Sequence, residues 1–423
     1  MTAVLTTSRA DRMQHGWWHS SIGFSSLLVL VAGCWLLVIT SEAAEIEQHE
    51  DLRIVHLCGT PYELGRQHGE ALREEVRASV AHVLGYFRQY LKIPWVRTWV
   101  VNWWLDRPWQ AATPFIAPDY LEELRGLADG SGVPLRELYR LHAIPDRTYS
   151  CSSFAAWGRA TAGGRLIHVR NLDWNINAGI QRFAVVFVVR PKGKHAFINV
   201  GWAGFIGVLS GLNDAQLSVA QIGAETLDAT FRGEPMAFVM RRVLEEADDL
   251  EEATSLVQQA PRTVGVNYVF ADAKARRAIA IETTHQQIRV FEADDLAEHT
   301  VSYARPMVDA VFRADTAMDR RIRDQQLASA GDPARPGLEP PSGSAYETRY
   351  LGQAAGISTH FGTLDPSSAQ AIARAVAPAS NVQSVIFAWP EAWVANAQGT
   401  TSAARTPSHQ LDVGRLLQAT KSQ

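Results

Sequence analysis

The sequence predicts an α+β protein in which two stacked antiparallel sheets are covered by helices, a four-layer αββα sandwich. Three observations predict it. After residue 151 the chain reads as short strands at 182–190, 195–202, 217–222, 266–271, 277–283 and 288–291, joined by tight turns such as Pro191-Lys192-Gly193-Lys194, which is the pattern of antiparallel pairing. These strands are mostly apolar runs, so both of their faces need cover. Two stretches of helical character, 235–247 and 250–259, interrupt the series and supply that cover.

The bulk properties agree with a large folded body. A chain of 423 residues with 47% hydrophobic content can bury a sizeable core. Its net charge of −4 carries no long basic run, so nucleic acid is not an expected partner.

At the N-terminus, Arg9, Asp11 and Arg12 precede an apolar run at 22–39, and Ser-Glu-Ala-Ala follows at 41–44. This pattern suits a secretory signal peptide with a small-residue cleavage site. The run is also long enough for an uncleaved membrane anchor, and Val31-Ala32-Gly33-Cys34 resembles the box at which bacterial lipoproteins are cut and lipidated. All three readings place the rest of the chain outside the cytoplasm, in the periplasm, in the medium or at a membrane.

From Tyr62 onward Leu72, Val76, Val80, Val83, Leu84, Phe87 and Leu91 recur at helical spacing, which predicts one amphipathic helix ended by Pro94. Trp95, Trp99, Trp103, Trp104 and Trp109 then form an aromatic patch. It reads either as a lid or acyl-chain groove near a membrane, or as packing against the body of the protein. Helical stretches follow at 119–127 and 135–142, separated by Gly130-Ser131-Gly132, and 144–150 is an extended connection. Further on, 332–343 is a Pro- and Gly-rich surface loop, 344–353 and 366–376 are helical, and 383–389 with 393–396 make a closing hairpin. The expected division is a leader or anchor at 1–44, a helical pro-segment at 45–150, a strand-rich body at 151–398 and a flexible tail at 399–423.

The body opens on Cys151-Ser152-Ser153-Phe154-Ala155-Ala156-Trp157-Gly158. Thr161-Ala162-Gly163-Gly164 supplies a tight turn, and Arg165 to Val169 alternate as a strand does, so a β-hairpin folds Arg170 and Asp173 back toward Cys151. A guanidinium lowers a thiol pKa, and a carboxylate can hold an adjacent amine. On these residues alone Cys151 also reads as an inert small hydrophobe, and Arg170 with Asp173 as a structural ion pair. Cys34, Cys58 and Cys151 are the only cysteines, too few for a disulfide framework. The sequence holds no Cys-x-x-Cys, no His-Glu-x-x-His, no G-x-S-x-G elbow and no phosphate-binding G-x-x-x-x-G-K-[ST] loop, so neither metal nor cofactor is expected.

Five segments in fixed order carry a family resemblance: Gly59-Thr60-Pro61-Tyr62-Glu63-Leu64-Gly65-Arg66-Gln67-His68-Gly69, Cys151-Ser152-Ser153-Phe154, Arg170-Asn171-Leu172-Asp173-Trp174, Gly211-Leu212-Asn213-Asp214 and Val266-Asn267-Tyr268-Val269. Together they resemble the isopenicillin-N acyltransferase family and, more distantly, the choloylglycine hydrolases and acid ceramidases, all N-terminal-nucleophile hydrolases. The resemblance implies the same αββα fold and a precursor that cuts itself after Ser150, so that Cys151 becomes a chain start with its chains still associated. It implies an acyl-enzyme on Cys151, formed from a small-molecule N-acyl amide and passed to water or an amine. A freed α-amine, with an ordinary pKa of about 7.7 to 8.0, would then shuttle the proton.

By the same resemblance Arg170 keeps the thiol acidic, Asp173 holds the α-amine, and Asn267 donates to the oxyanion with a backbone N–H near 221–223. Arg349 lies in Ser344-Ala345-Tyr346-Glu347-Thr348-Arg349-Tyr350, which is similar to a Ser-rich segment carrying a site Arg in choloylglycine hydrolases. Read without the resemblance, Asn267 caps a turn and Arg349 sits on a helix surface. A phospholipase-like esterase on the same fold and a catalytically silent envelope binding protein remain the rival functions.

Overall fold

The computed structural model describes residues 43–89, 93–146, 150–326 and 345–418. The expected leader or anchor at 22–39, the loop at 332–343, Leu91 and the side chain of Trp95 lie outside the described residues. Strands Glu45–His49 (β1) and Leu52–Gly59 (β2) precede helices Pro61–Ala71 (α1), Arg73–Gln89 (α2), Pro94–Ala112 (α3), Pro118–Ser131 (α4) and Leu135–His142 (α5). Strands Ser150–Gly158 (β3), Gly164–Asp173 (β4), Ala184–Pro191 (β5), Phe197–Trp202 (β6), Ser210–Asn213 (β7) and Leu217–Gly223 (β8) lead to helices Met236–Glu246 (α6) and Leu250–Gln259 (α7). Then come Val266–Asp272 (β9), Arg277–Thr283 (β10), Ile288–Phe291 (β11), Ala310–Arg313 (β12), Arg320–Arg323 (α8), Ala345–Thr359 (α9) and Pro366–Val376 (α10). The chain closes with Asn381–Ala388 (β13), Glu391–Asn396 (β14), His409–Asp412 (β15) and Val413–Gln418 (α11).

Two sheets form the centre. One runs β1-β2-β5-β6-β7-β8-β9-β10-β11 and the other β12-β3-β4-β13-β14-β15. All pairings are antiparallel except β2 with β5. The sheets meet face to face where β3 lies on β8 and β9, with α6 and α7 over β7 to β10 and α9 and α10 over β3, β4, β12 and β13. This is the expected αββα sandwich, with fully buried apolar strands such as β8 and β9 explained by cover on both faces.

Three expectations need correction. The helix predicted from Tyr62 breaks at Leu72 into α1 and α2, because α1 packs backbone to backbone on α4: a Cβ on Gly65 would lie 1.8 Å from the Glu123 carbonyl oxygen. Pro94 starts α3 rather than merely ending a helix, as suits a residue whose missing N–H is unneeded at the first helical position. The segment 45–150 is mostly helical, and it also carries β1 and β2. Its β2 pairs in parallel with β5, Ile54 opposite Val186 and Gly59 opposite Pro191, so the stretch before Cys151 is built into the larger sheet. The tail expected to be loose from 399 instead carries β15, paired to β14, and α11, whose Leu416 and Leu417 are buried. Strands β7 and β12, four residues each, were too short to show a pattern.

His68, His142 and His168 are buried, each with hydrogen-bond partners. The backbone N–H groups of Gly204 and Ile206 donate to His68 Nε2 at 2.9 Å and His142 Nε2 at 3.0 Å, and His168 sits between Ser218 Oγ at 2.8 Å and Ser153 Oγ at 3.2 Å. Burial first, then neighbouring cations, pushes their pKa values down to about 3, 4 and 3 respectively. An unfolded chain protonates these rings below about 6.5 while the folded one does not. Stability is therefore full above that pH and falls as pH drops through 6 toward 4, by about 1.4 kcal/mol per pH unit for each ring. Urea unfolding at pH 7, 6 and 5 checks this. A His68→Gln protein should show a shallower slope, and an unchanged slope would refute the assignment.

Candidate active site

The β3–β4 hairpin forms as the turn glycines require, with Gly163 and Gly164 at φ of 70° and 72°, a region that suits glycine. It sets Cys151 opposite Leu172 and Ser150 opposite Asp173. Cys151 is completely buried. Its sulfur accepts from Arg170 Nη2 at 3.3 Å and lies 3.4 Å from Gln221 Oε1. Arg170 is fixed from every side, donating through Nε to the Gln221 carbonyl at 3.2 Å and through Nη1 to Ser210 Oγ at 2.8 Å. Arg170 does pull the thiol pKa down, but burial outweighs it and pushes Cys151 up to about 12. In the uncut chain the pull of Arg170 therefore does not offset the burial of the sulfur.

A second cluster surrounds the Ser150–Cys151 peptide bond. Arg349, on α9 and only 8% exposed, donates through Nη1 to Asp173 Oδ2 at 2.9 Å and through Nη2 to Asp315 Oδ2 at 2.7 Å. The same Nη1 reaches Ser150 Oγ at 3.0 Å and the Cys151 carbonyl at 3.4 Å. Asp315 accepts the Cys151 backbone N–H on Oδ1 at 2.8 Å and the Ser150 hydroxyl on Oδ2 at 2.6 Å. Asn381 donates to Asp173 Oδ1 at 3.0 Å. Burial raises both carboxyls against the pull of Arg349, Asp173 to about 7.

The structure therefore brings Cys151, Arg170, Asp173 and Arg349 together. Asn267 on β9 is fully buried, but its amide nitrogen is turned to the Ala314 carbonyl at 3.4 Å and its Oδ1 has no hydrogen-bond partner. It does not bond to Cys151 among the described contacts. The sequence reading named 221–223 only for a backbone N–H and missed both the Gln221 side chain beside the sulfur and Asp315. Gln221 could have been noticed as a polar side chain inside the apolar strand Leu217–Gly223. Asp315 follows the four-residue strand β12, which had no readable period.

An apolar pocket adjoins this cluster. Its wall includes Asp173 and Gln221 beside Leu172, Trp174, Ile180, Trp202, Phe205 and Leu209, together with Val83, Leu141, Ile144 and Pro145 from before Cys151. Trp99, Trp103, Trp104 and Trp109 of α3 are not among the residues of its lining. Trp109 stacks on Tyr139 at 4.6 Å, Trp104 lies 5.9 Å from Phe87, which lies 6.1 Å from the pocket's Trp174, and Trp99 is 68% exposed. Among the described residues no group of three or more His, Cys, Asp or Glu could hold a metal ion, and no helix is long and apolar enough to cross a membrane.

Residues 160–334 match the family model described as Acyl-coenzyme A:6-aminopenicillanic acid acyl-transferase. That span contains Arg170, Asp173, Gln221, Asn267 and Asp315, begins after Cys151 and ends before Arg349. The chain is 27% identical over 266 residues to protein dcd1B of Dictyostelium discoideum, covering 58% of this chain and 53% of that protein. It is 24% identical over 198 residues to the acid ceramidase of Rattus norvegicus, covering 41% and 50%. To the N-acylethanolamine-hydrolyzing acid amidase of Oryctolagus cuniculus it is 24% identical over 216 residues, covering 49% and 57%. The chain thus spans a little over half the length of these curated relatives.

Proposed function

Since the chain carries an acyl-coenzyme A:6-aminopenicillanic acid acyl-transferase domain and is related in sequence to amide hydrolases of the N-terminal-nucleophile class, we propose that it is a self-cleaving cysteine amidase or acyltransferase for N-acyl amides with an apolar acyl chain. The observation that carries this reading is one buried sulfur set against a guanidinium and against Gln221, which also lines the apolar pocket, with Asp315 holding the Ser150 hydroxyl and the Cys151 N–H beside it. The relatives named for ceramide and N-acylethanolamine point to the same bond type, an amide between a fatty acyl group and an amino alcohol.

In maturation, Sγ of Cys151 attacks the Ser150 carbonyl carbon, the C–N bond breaks, and the nitrogen takes the thiol proton. A carboxyl held near 7, as Asp173 is, is basic enough to relay that proton at neutral pH. Water then opens the thioester, leaving a Ser150 carboxylate and a free Cys151 amine. In turnover the thiolate, faced by Arg170, attacks the substrate carbonyl, and the α-ammonium protonates the departing amine. Asn267 is the candidate oxyanion donor: its amide is held by a single long bond, so it can turn to a developing charge, a contribution of about 2.7 to 4 kcal/mol where such donors have been removed.

The segment before Cys151 stays in place in this reading. It supplies β2 to the sheet and part of the pocket wall, and its Glu123 accepts both Arg241 Nη groups, at 2.8 and 2.6 Å, in a buried pair. The apolar run at 22–39 supports a location outside the cytoplasm. In a series of N-acyl amides, kcat/KM should rise about fourfold per added methylene until the pocket is full, from about 0.8 kcal/mol per buried CH₂. Intact-mass analysis after incubation should find the acyl group on the fragment that starts at Cys151. Rates flat across chain length, with no adduct on that fragment, would overturn both the pocket assignment and the covalent route.

A further inference from the structure

We infer that Asp315 is the carboxylate that receives the α-amine of Cys151 once the bond after Ser150 is cut. The inference rests on the self-cleavage proposed above and names the residue that holds its product. Asp173, the carboxylate on the same hairpin, is already committed: Oδ1 to Asn381 and Oδ2 to Arg349. Asp315 instead keeps one oxygen, Oδ1, on the Cys151 nitrogen at 2.8 Å, and uses Oδ2 for Arg349 and the Ser150 hydroxyl. When Ser150 departs, Oδ2 keeps Arg349 and Oδ1 keeps the Cys151 nitrogen.

Hydrolysis of that bond adds OH from one water to the Ser150 carbonyl and H to the Cys151 nitrogen, turning an amide N–H into a primary amine that can bind a further proton. An ammonium facing a buried carboxylate makes a charge-assisted hydrogen bond, stronger than the amide contact it replaces. Charge balance in the site supports this. Arg170 and Arg349 face Asp173 and Asp315, and Glu225 lies close enough to feel Asp315. Cleavage then introduces one more cation, which offsets a thiolate that the uncut site could not support. Asp315 is thus a positioning residue: it points the amine, and the charge that switches the sulfur on arrives with the cut itself.

The test frees Cys151 independently of self-cleavage. Residues 147–150 are replaced by Ile-Glu-Gly-Arg, so that an added protease makes the cut in the otherwise wild-type, Asp315→Asn and Asp173→Asn proteins. The Cα shift of ¹³C-labelled Cys151 is then followed against pH. Asp315→Asn should lower the amine titration by one pH unit or more, a tenfold weaker hold on the proton, and Asp173→Asn should move it by less. Asp315→Ser stands in if the Asn protein does not fold, and Asp315→Glu should return the titration toward the wild-type value. An unmoved titration in Asp315→Asn, or a larger shift in Asp173→Asn, would overturn the inference. The uncut natural sequence, measured in parallel by intact mass, reports on self-cleavage separately, because the added protease frees Cys151 whether or not the natural chain cuts itself.

Discussion

Cys151→Ala protein should remain a single chain through residues 150 and 151 and lose acyl transfer by about 10⁵ to 10⁶ in kcat, the scale seen when a covalent nucleophile is removed. Both losses have one origin. The sulfur is the strongest nucleophile at the hairpin, and Arg170 and Gln221 are arranged around it. The fold should survive, because Cys151 contributes a small buried side chain to β3 and its removal leaves the β3–β4 pairing intact. Cys151→Ser separates the two steps. Its hydroxyl can attack the Ser150 carbonyl when held in place, but it has a much higher pKa than a thiol and gives slower turnover. Intact mass under denaturing conditions, with activity measured on the same samples, decides the matter. A Cys151→Ala chain that still divides at this bond would assign the cut to another group or to a contaminating protease.

Much of this site could be read before the structure, and the reasons for the rest are physical. The hairpin was legible because two glycines and an alternating strand fix local geometry within a few residues. Arg170 and Asp173 therefore came with Cys151. Arg349 carried no local signal. It reaches the cluster from α9, and only the resemblance to a Ser-rich segment pointed to it. Asp315 had neither signal, since its position follows from β12 pairing with β3, Arg313 opposite Ser153. Burial was the other illegible quantity. Sequence shows that a guanidinium is near a thiol, but the sign of the net pKa shift depends on the loss of water around both, and here that loss wins. The long helix predicted across Leu72 failed for a related reason, since the close approach of α1 to α4 is a tertiary contact that overrides helical period.

Arg349→Ala should have the second largest effect, lowering stability by about 3 to 5 kcal/mol and slowing self-cleavage by at least about a thousandfold, since it leaves two buried carboxylates without their shared cation. Asp173 and Asp315 both lean on this one guanidinium, at 2.9 and 2.7 Å, and both are raised by burial. Without Arg349 at least one of them must take up a proton to stay inside. The Ser150 hydroxyl and the Cys151 carbonyl also lose a donor, so the two residues that flank the bond are held less firmly. Arg349→Lys distinguishes charge from geometry. A lysine restores one positive charge and should recover part of the stability, yet a single ammonium lacks the planar fork that spans the two carboxylates and the Ser150 oxygen. Urea unfolding should therefore place the Lys protein between Ala and wild type, while the rate at which the chain divides stays close to that of Ala. Full cleavage in Arg349→Lys would show that charge alone suffices, and the forked grip on the bond would have to be abandoned.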